Sequence, residues 1–433
     1  MNNQQLIDKI LNEIPEPIYH QGDQAYFAEA DYYGASRIIA EKLGLIEPPF
    51  SQAGWRHGWM HFPIKYVRQL TVWGKESTHY LMSQPAHVKF LAENNIKSTA
   101  VGIPFIYADY IDQSLRVPNT LLVMPPHTLP YIPSIGNEEI YVKEIQSIRD
   151  EFDAVVFCIH HSCIQNGVWP ELLKKYNFPM IIGASASQTN SLIRLQRIFS
   201  SFEFVTSNTI GSHLPYAAYC GAKVSIYGKF SDFSNYNIEK DPYAKANPEL
   251  MAFNIKHTAE PYVRQLVPFL FCDHPKTAQQ YINWAQTELG LQYKKRPDEI
   301  AELLSWNDQN FQIRKAKEKS NYVKNKEKSL LLESLSSMFQ LVTHYKNNFA
   351  VYGAGDIGTS LINLLSTNNF KPLCIYDKRY ETLNNNYNIS IYPPENIEKD
   401  DIKLILIASF SHQEEIKEYI TSLRKDLVIW PTY

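Results

Sequence analysis

The chain has 433 residues, 44% of them hydrophobic and 20% charged, with a formal net charge of -3. That length calls for two or three cores, the composition is that of an ordinary globular protein, and the charge argues against a nucleic-acid binder, which would be basic. Five cysteines, Cys158, Cys163, Cys220, Cys272 and Cys374, form no CxxC pair and suit neither a disulfide framework nor a zinc site. The N-terminus carries no basic stretch followed by an apolar one, and no apolar run reaches the roughly 18 residues of a membrane span, so a cytoplasmic location is expected.

The first α/β unit is expected over 1–117. Ala35, Ile38, Ile39 and Leu43 fall on one stripe and predict a helix over 32–45. The loop Ala53-Gly54-Trp55-Arg56-His57-Gly58-Trp59 follows. In it His57 reads either as an exposed, positioned base or as a loop histidine packed on tryptophan. Strands are expected at 70–73 and 78–82, a helix at 86–94, and a strand at 98–105 ending in a Gly/Pro turn.

The second unit is expected over 118–297. Strand 120–124 leads into Pro125-Pro126-His127-Thr128, and a helix runs over 138–151. Residues 154–159 are a continuous apolar run of the kind buried in a parallel sheet, and they end in His160-His161-Ser162. A helix over 169–176 and a strand over 180–183 reach Gly183-Ala184-Ser185, and a helix over 189–199 follows. Next comes Phe204-Val205-Thr206-Ser207-Asn208-Thr209-Ile210-Gly211-Ser212-His213: strand, polar turn, helix start. Its hydroxyls, its glycine and the N–H groups of a helix end suit an anion such as phosphate, although Ser, Thr and Asn are also ordinary N-caps. A strand over 222–228 and a helix over 277–289 close the unit, with loop between 230 and 260. Alternating strands and helices predict a doubly wound parallel sheet, whose ligands sit beyond the carboxyl ends of the strands. Every polar set just named follows an apolar strand.

Residues 298–346 read as a helical linker. Its basic run, Arg314, Lys315, Lys317, Lys319, Lys324, Lys326 and Lys328, is either a solvated face or a peripheral contact with anionic lipid. The last unit, 347–433, opens on Tyr352-Gly353-Ala354-Gly355-Asp356-Ile357-Gly358, the G-x-G-x-x-G spacing after a strand. Asp377, about twenty residues on at the end of a second strand, stands where that fingerprint places a ribose-binding acid. The module either binds NAD(P) or serves packing and docking.

The order of these loops resembles the two-domain GT-B arrangement over roughly residues 30–290. More narrowly it is similar to bacterial transferases of surface polymers, namely teichoic-acid glycerophosphotransferases and sialyl- and Kdo-transferases. The resemblance implies that His57 acts as base toward the acceptor and that His160 or His161 contacts the donor phosphate. It implies that Ser207, Thr209 and Ser212 surround that phosphate. The paired motifs are incomplete here: His160-His161-Ser162 has no proline, and the Ser-Ser pair is interrupted. The C-terminal unit is similar to modules attached to sugar-processing proteins.

The expectation is therefore an α/β protein with a GT-B-like pair of Rossmann-like domains and a small Rossmann-like appendage. Its function would be a glycosyltransferase moving a sugar from a CMP- or UDP-linked donor to a glycan or lipid-linked acceptor of capsule or lipopolysaccharide synthesis, at the inner face of the membrane. His57 would be the base. His127, Thr128, His160, His161, Ser162, Gly183, Ser185, Ser207, Asn208, Thr209, Gly211, Ser212 and His213 would bind the donor. No Asp-x-Asp is present to hold a divalent cation, which favours metal-free transfer. Two other readings stand beside it: an NAD(P)-dependent sugar-modifying enzyme built on Gly353, Gly355, Gly358 and Asp377, and a non-catalytic sugar- or nucleotide-binding protein.

Overall fold

The computed structural model describes residues 3–20, 28–71, 77–127, 136–231, 233, 239, 241–346, 348–383, 389–409 and 412–431, and of residues 165–166, 242 and 323–332 the backbone alone. It divides into two compact units, residues 1–315 and 316–433. The protein is α/β, with three mostly parallel sheets of three, six and five strands, consistent with Rossmann-like domains.

In the first unit, α1 (Asn3–Asn12) precedes α2 (Ala35–Lys42) and β1 (Ala53–Trp55). Then come α3 (Arg68–Thr71), β2 (His79–Met82), α4 (Pro85–Glu93) and β3 (Ser98–Ala100). The three strands pair in parallel in the order β1-β2-β3. Residues 70–71 close a helical turn where a strand was expected, because the Gln69 carboxamide accepts the N–H groups of Lys65 and Tyr66 and caps that turn; residues 72–73 lie outside the described residues. The 98–105 strand stops at Ala100, since Gly102 turns the chain at φ +76° and Pro104 opens a 3-10 turn.

The central sheet holds β4 (Val117–Val123), β5 (Ala154–Ile159), β6 (Met180–Ile182), β7 (Phe202–Ser207) and β8 (Lys223–Ile226). Between them lie α5 (Glu138–Ile148), α6 (His161–Asn166), α7 (Val168–Lys175), α8 (Ser191–Ser201) and α9 (His213–Tyr219). All six residues of β5 are buried, as its unbroken apolar run requires. With β9 (Gln279–Gln280) as the sixth strand, the order is β6-β5-β4-β7-β8-β9, and every pair but the last is parallel. The chain thus works outward from β4 on one side, then returns to lay β7 on the other. That leaves a crevice at the carboxyl ends of β4 and β7, where such sheets take ligands.

The stretch 230–260 contains α10 (Pro242–Ala246) and α11 (Pro248–Thr258) rather than loop, and α12 (Glu260–Leu266) follows. Each begins on a proline in its first turn, a position where the missing N–H costs nothing and the fixed φ suits a helix. The helix expected from 277 begins later, as α13 (Ile282–Glu288), because β9 (Gln279–Gln280) first pairs antiparallel with β8. α14 (Pro297–Leu303) and the long α15 (Gln309–Tyr345) complete the helical stretch expected over 298–346. Among the described residues no helix is long and apolar enough to cross a membrane.

One apolar cluster runs through the first unit. It joins Trp55, Leu81 and Phe105 to Leu122, Val156, Val205 and Ala217. Phe105 stacks on Tyr216 with 3.9 Å between ring centroids and 4° between planes. The N-terminal strip packs on the β6–α8 loop: Asn190 accepts the Ile18 N–H and donates to Glu16 O, and Arg194 donates to Pro15 O.

The second unit contains β10 (Phe349–Tyr352), α16 (Asp356–Thr367), β11 (Ile375–Tyr376), β12 (Ile391–Tyr392), β13 (Leu404–Ile407), α17 (Gln413–Leu423) and β14 (Val428–Trp430). Its sheet is wholly parallel in the order β12-β11-β10-β13-β14.

Gly34 holds the 28–34 segment against the β6–α8 loop. Its φ is +80°, and a Cβ there would stand 1.8 Å from Thr189 O. Gly34→Ala should therefore cost about 2–4 kcal/mol through backbone strain and overpacking. Urea unfolding measures it, and an unchanged midpoint would mean that this segment does not press on Thr189.

Candidate functional site

A cavity of about 440 Å³ lies at the carboxyl ends of the central strands. The loop after β1 supplies Arg56, His57, Trp59 and His61 to its wall. The loops after β4, β5 and β6 supply His127, His160 and Gly183. The β7–α9 turn supplies Thr209, Gly211, Ser212 and His213, and α9 adds Tyr216. Parallel pairing is what gathers them, since it puts every strand's exit at the same edge. Arg56 is the one permanently charged side chain among the described lining residues.

His127, His160 and His213 form one group. The His127 and His160 rings are 5.0 Å apart. His160 is the N-cap of α6: its Nδ1 accepts the Ser162 N–H at 3.2 Å and lies 2.8 Å from Ser162 Oγ. An acceptor at Nδ1 leaves Nε2 as the protonated nitrogen of the neutral ring, a hydrogen-bond donor. Burial pushes His160 down to about 4, with His127 and His161 adding to the effect. His213 is also lowered to about 4 by burial and then by His127, and its Nε2 is sealed from solvent without a partner among the described residues. Gly211 makes room for that ring, since a Cβ there would lie 2.9 Å from His213 Nδ1. α9 has only seven residues, so the imidazoles rather than a long helix dipole supply the donors.

The rest of the turn is mostly internal scaffolding. Ser207 Oγ accepts the Thr209 N–H, and Asn208 donates to Lys229 O while its Oδ1 is sealed without a partner. Neither residue lines the cavity, and nor do His161, Ser162 and Ser185. Ser185 is tied within its own turn, its N–H to Gln188 and Ser191 and its hydroxyl to Ser187. Thr128 lies outside the described residues.

His57 sits on a pinned loop. Trp59 donates its backbone N–H to Ser212 Oγ at 2.9 Å, and the Tyr216 hydroxyl donates to His57 O. The His57 side chain is 21% exposed and its Nδ1 lies 3.8 Å from Oε1 of the fully buried Glu29. Burial and then the Arg56 charge lower His57 to about 3, while burial, opposed by Arg56, raises Glu29 to about 7. His61, four residues on, has both ring nitrogens sealed without partners among the described residues, and burial lowers it to about 3. The sequence reading missed Arg56, His61 and Glu29. Arg56 is adjacent to His57 in the Ala53–Trp59 loop, but Glu29 stands 28 residues away from His57 with no spacing to mark it.

In the second unit, Gly353 has φ +105° and Gly355 caps α16. A Cβ on Gly358 would lie 2.0 Å from Gly353 O, so the glycines permit the tight strand-to-helix turn. Asp377 closes that turn. Its Oδ2 accepts the Ala354 N–H at 2.8 Å, and its Oδ1 accepts the Arg379 N–H at 2.8 Å. Burial alone would raise this carboxyl, but those N–H groups and the Arg379 guanidinium hold it below its usual value.

The buried groups set an acid sensitivity. His57, His61, His160 and His213 are held below the ordinary histidine range, whereas Glu29 and Asp31 are raised, to about 7 and about 6. Between about pH 6.5 and about pH 4.5 the unfolded chain protonates histidines that the folded chain keeps neutral, so stability falls with pH. The raised carboxyls act in the opposite sense, but the lowered histidines, which also include His87 at about 4, outnumber those two. Denaturant midpoints should drop from about pH 7 to about pH 5, and His213→Asn should shrink the drop. An undiminished drop would mean that His213 is not sealed.

A family model described as C2185-like, N-terminal, matches residues 345–427, which span β10 to β13 of the glycine-loop sheet. No curated protein and no solved structure matches the chain.

Proposed function

We propose that residues 1–315 work as a GT-B-type glycosyltransferase that moves a sugar from a CMP- or UDP-linked donor onto a glycan or lipid-linked acceptor of bacterial surface polysaccharide synthesis. The observation that carries this reading is the pairing, in one cavity, of neutral imidazole donors with a separately held histidine on a pinned loop. In the transfer, the bond from the sugar carbon to the donor phosphate oxygen breaks and a bond from that carbon to the acceptor oxygen forms. Negative charge builds on the departing phosphate. Nε2–H of His160 and the Arg56 charge stabilise it, with His127 and His213 beside them. The acceptor proton goes to His57, which burial keeps unprotonated and so ready to act as a base. A cavity of this size takes a nucleotide's sugar and phosphate while excluding much of the water that would hydrolyse the donor.

The setting follows from the same reading. The enzyme would act in the cytoplasm at the inner face of the membrane, where its acceptor is made. The basic run from Arg314 to Lys328 lies on α15 and would meet anionic lipid there.

The second unit favours a nucleotide as well, because its glycine turn lies beside the switch point of a 3-2-1-4-5 parallel sheet. In an NAD(P)-dependent enzyme of sugar metabolism, Gly353, Gly355 and Gly358 would approach the pyrophosphate and Asp377 the ribose.

A thermal-shift panel of CMP, UDP, GDP, CDP, NAD(H) and NADP(H) separates these readings, since a ligand bound only by the folded state raises the melting temperature. CMP or UDP should stabilise the chain, and His160→Ala should abolish that shift. Stabilisation by NAD(H) alone would move the function to the second unit. With a productive donor and acceptor, His57→Ala should cost about a hundredfold or more in kcat. An unchanged kcat would remove His57 from the chemistry.

A further inference from the structure

We propose that Glu29 is the positioning residue for His57: its carboxylate takes the Nδ1–H of the imidazole and leaves Nε2 as the lone pair that meets substrate. The inference rests on the transferase reading for its purpose but not for its geometry. Glu29 is 1% exposed, and neither of its oxygens has a hydrogen-bond partner among the described residues. His57 Nδ1 is likewise sealed and unpartnered, and it faces Glu29 Oε1 across 3.8 Å. Two such groups buried side by side gain by pairing with each other, and catalytic hydrogen bonds that are long without substrate tighten when it binds.

The surroundings are shaped for the pair. Gly54 makes room for the carboxylate, because a Cβ there would lie 2.9 Å from Glu29 Oε2. Tyr33 holds the strained φ of +60° that lays its ring 4.7 Å from the His57 ring. The charged and titratable groups facing Glu29 are Arg56, Tyr32 and Tyr80. Arg56 is in turn faced by Tyr33, Tyr216, Tyr243 and His87. Among these groups Arg56 alone is permanently charged. It favours the ionised carboxylate and disfavours the imidazolium, so Glu29 is the group that stabilises the imidazolium once His57 has taken the acceptor's proton.

Long-range proton–nitrogen NMR of the full chain, labelled on histidine, tests this without substrate; His57 is assigned by the signal lost in His57→Asn. At about pH 8.5, above the Glu29 value of about 7, wild-type His57 should be in the Nδ1–H form. In Glu29→Leu, which removes the acceptor facing Nδ1, the ring should move to the Nε2–H form, because the tautomer follows the hydrogen bond the other nitrogen makes. An Nε2–H tautomer in the wild type, or an unchanged Nδ1–H population in Glu29→Leu, overturns the proposal. Should Glu29→Leu fail to fold, the wild-type tautomer and that of Glu29→Asp, which keeps the carboxylate and should keep the Nδ1–H form, still decide it. Failure of every nucleotide to bind would remove the transferase reading and leave these spectra unchanged.

Discussion

The hydrogen bond from the Trp59 backbone to Ser212 Oγ holds the site together. It joins the loop after β1 to the turn after β7, two segments 153 residues apart in sequence. The Tyr216 hydroxyl on His57 O makes the second tie, and Tyr216 is itself fixed by stacking on Phe105. A side chain carried on a loop is only as well aimed as that loop is held. Here the ties come from the turn and helix that present His213, so His57 and the imidazole group are positioned by shared atoms. The cluster beneath, which runs from Trp55 through Phe105 to Val205, makes the two halves of this unit one packed body.

Burial then determines the chemistry. An imidazole taken out of water loses its charged form first, so His57, His160 and His213 can exchange hydrogen bonds and accept protons without first losing one of their own. The cost appears as sealed nitrogens and oxygens without partners among the described residues, on His57, His61, His213, Glu29 and Asn208. Each unmade buried hydrogen bond costs about 1–3 kcal/mol. Those on His57, His61 and His213 belong to residues that line the cavity, as expected where a ligand supplies partners. Among the described lining residues Arg56 alone carries a permanent positive charge, which fits an anionic ligand.

Much of this was readable in the chain. Strand β5 carries an unbroken apolar run, and a run with no polar face can only be buried on both sides. Polar clusters that follow such runs must then share one edge of a parallel sheet, so His127, His160, Gly183 and the Ser207–His213 turn could be grouped before their contacts were known. The uses of single side chains were not readable. Ser207 and Ser185 look like ligand hydroxyls, yet each closes a local turn, because a serine near backbone N–H groups finds those partners first. Helices α10 to α12 were hidden by their own prolines, which read as loop unless placed in a first turn. Glu29 was hidden because nothing periodic ties it to His57; only the turn at Tyr33 and Gly34 brings it there.

The two sheets show what strand order does and does not determine. Central strands β4 to β8 and C-terminal strands β10 to β14 follow the same 3-2-1-4-5 order, and both therefore open a crevice beside the first strand. What fills that crevice differs. After β4 the chain places prolines and a histidine, which keep the backbone back and leave a cavity. After β10 it places three glycines, which let helix α16 close on the strand until Gly358 meets Gly353 O. Asp377 then spends both oxygens on backbone N–H groups of that unit, Ala354 within the turn and Arg379 beyond it. A carboxylate so engaged is first a clamp on the glycine turn, and a ribose hydroxyl would have to use the lone pairs left over. The same topology thus yields a cavity lined with imidazoles in one unit and a backbone cradle in the other, and the difference lies in the few residues that follow the first strand.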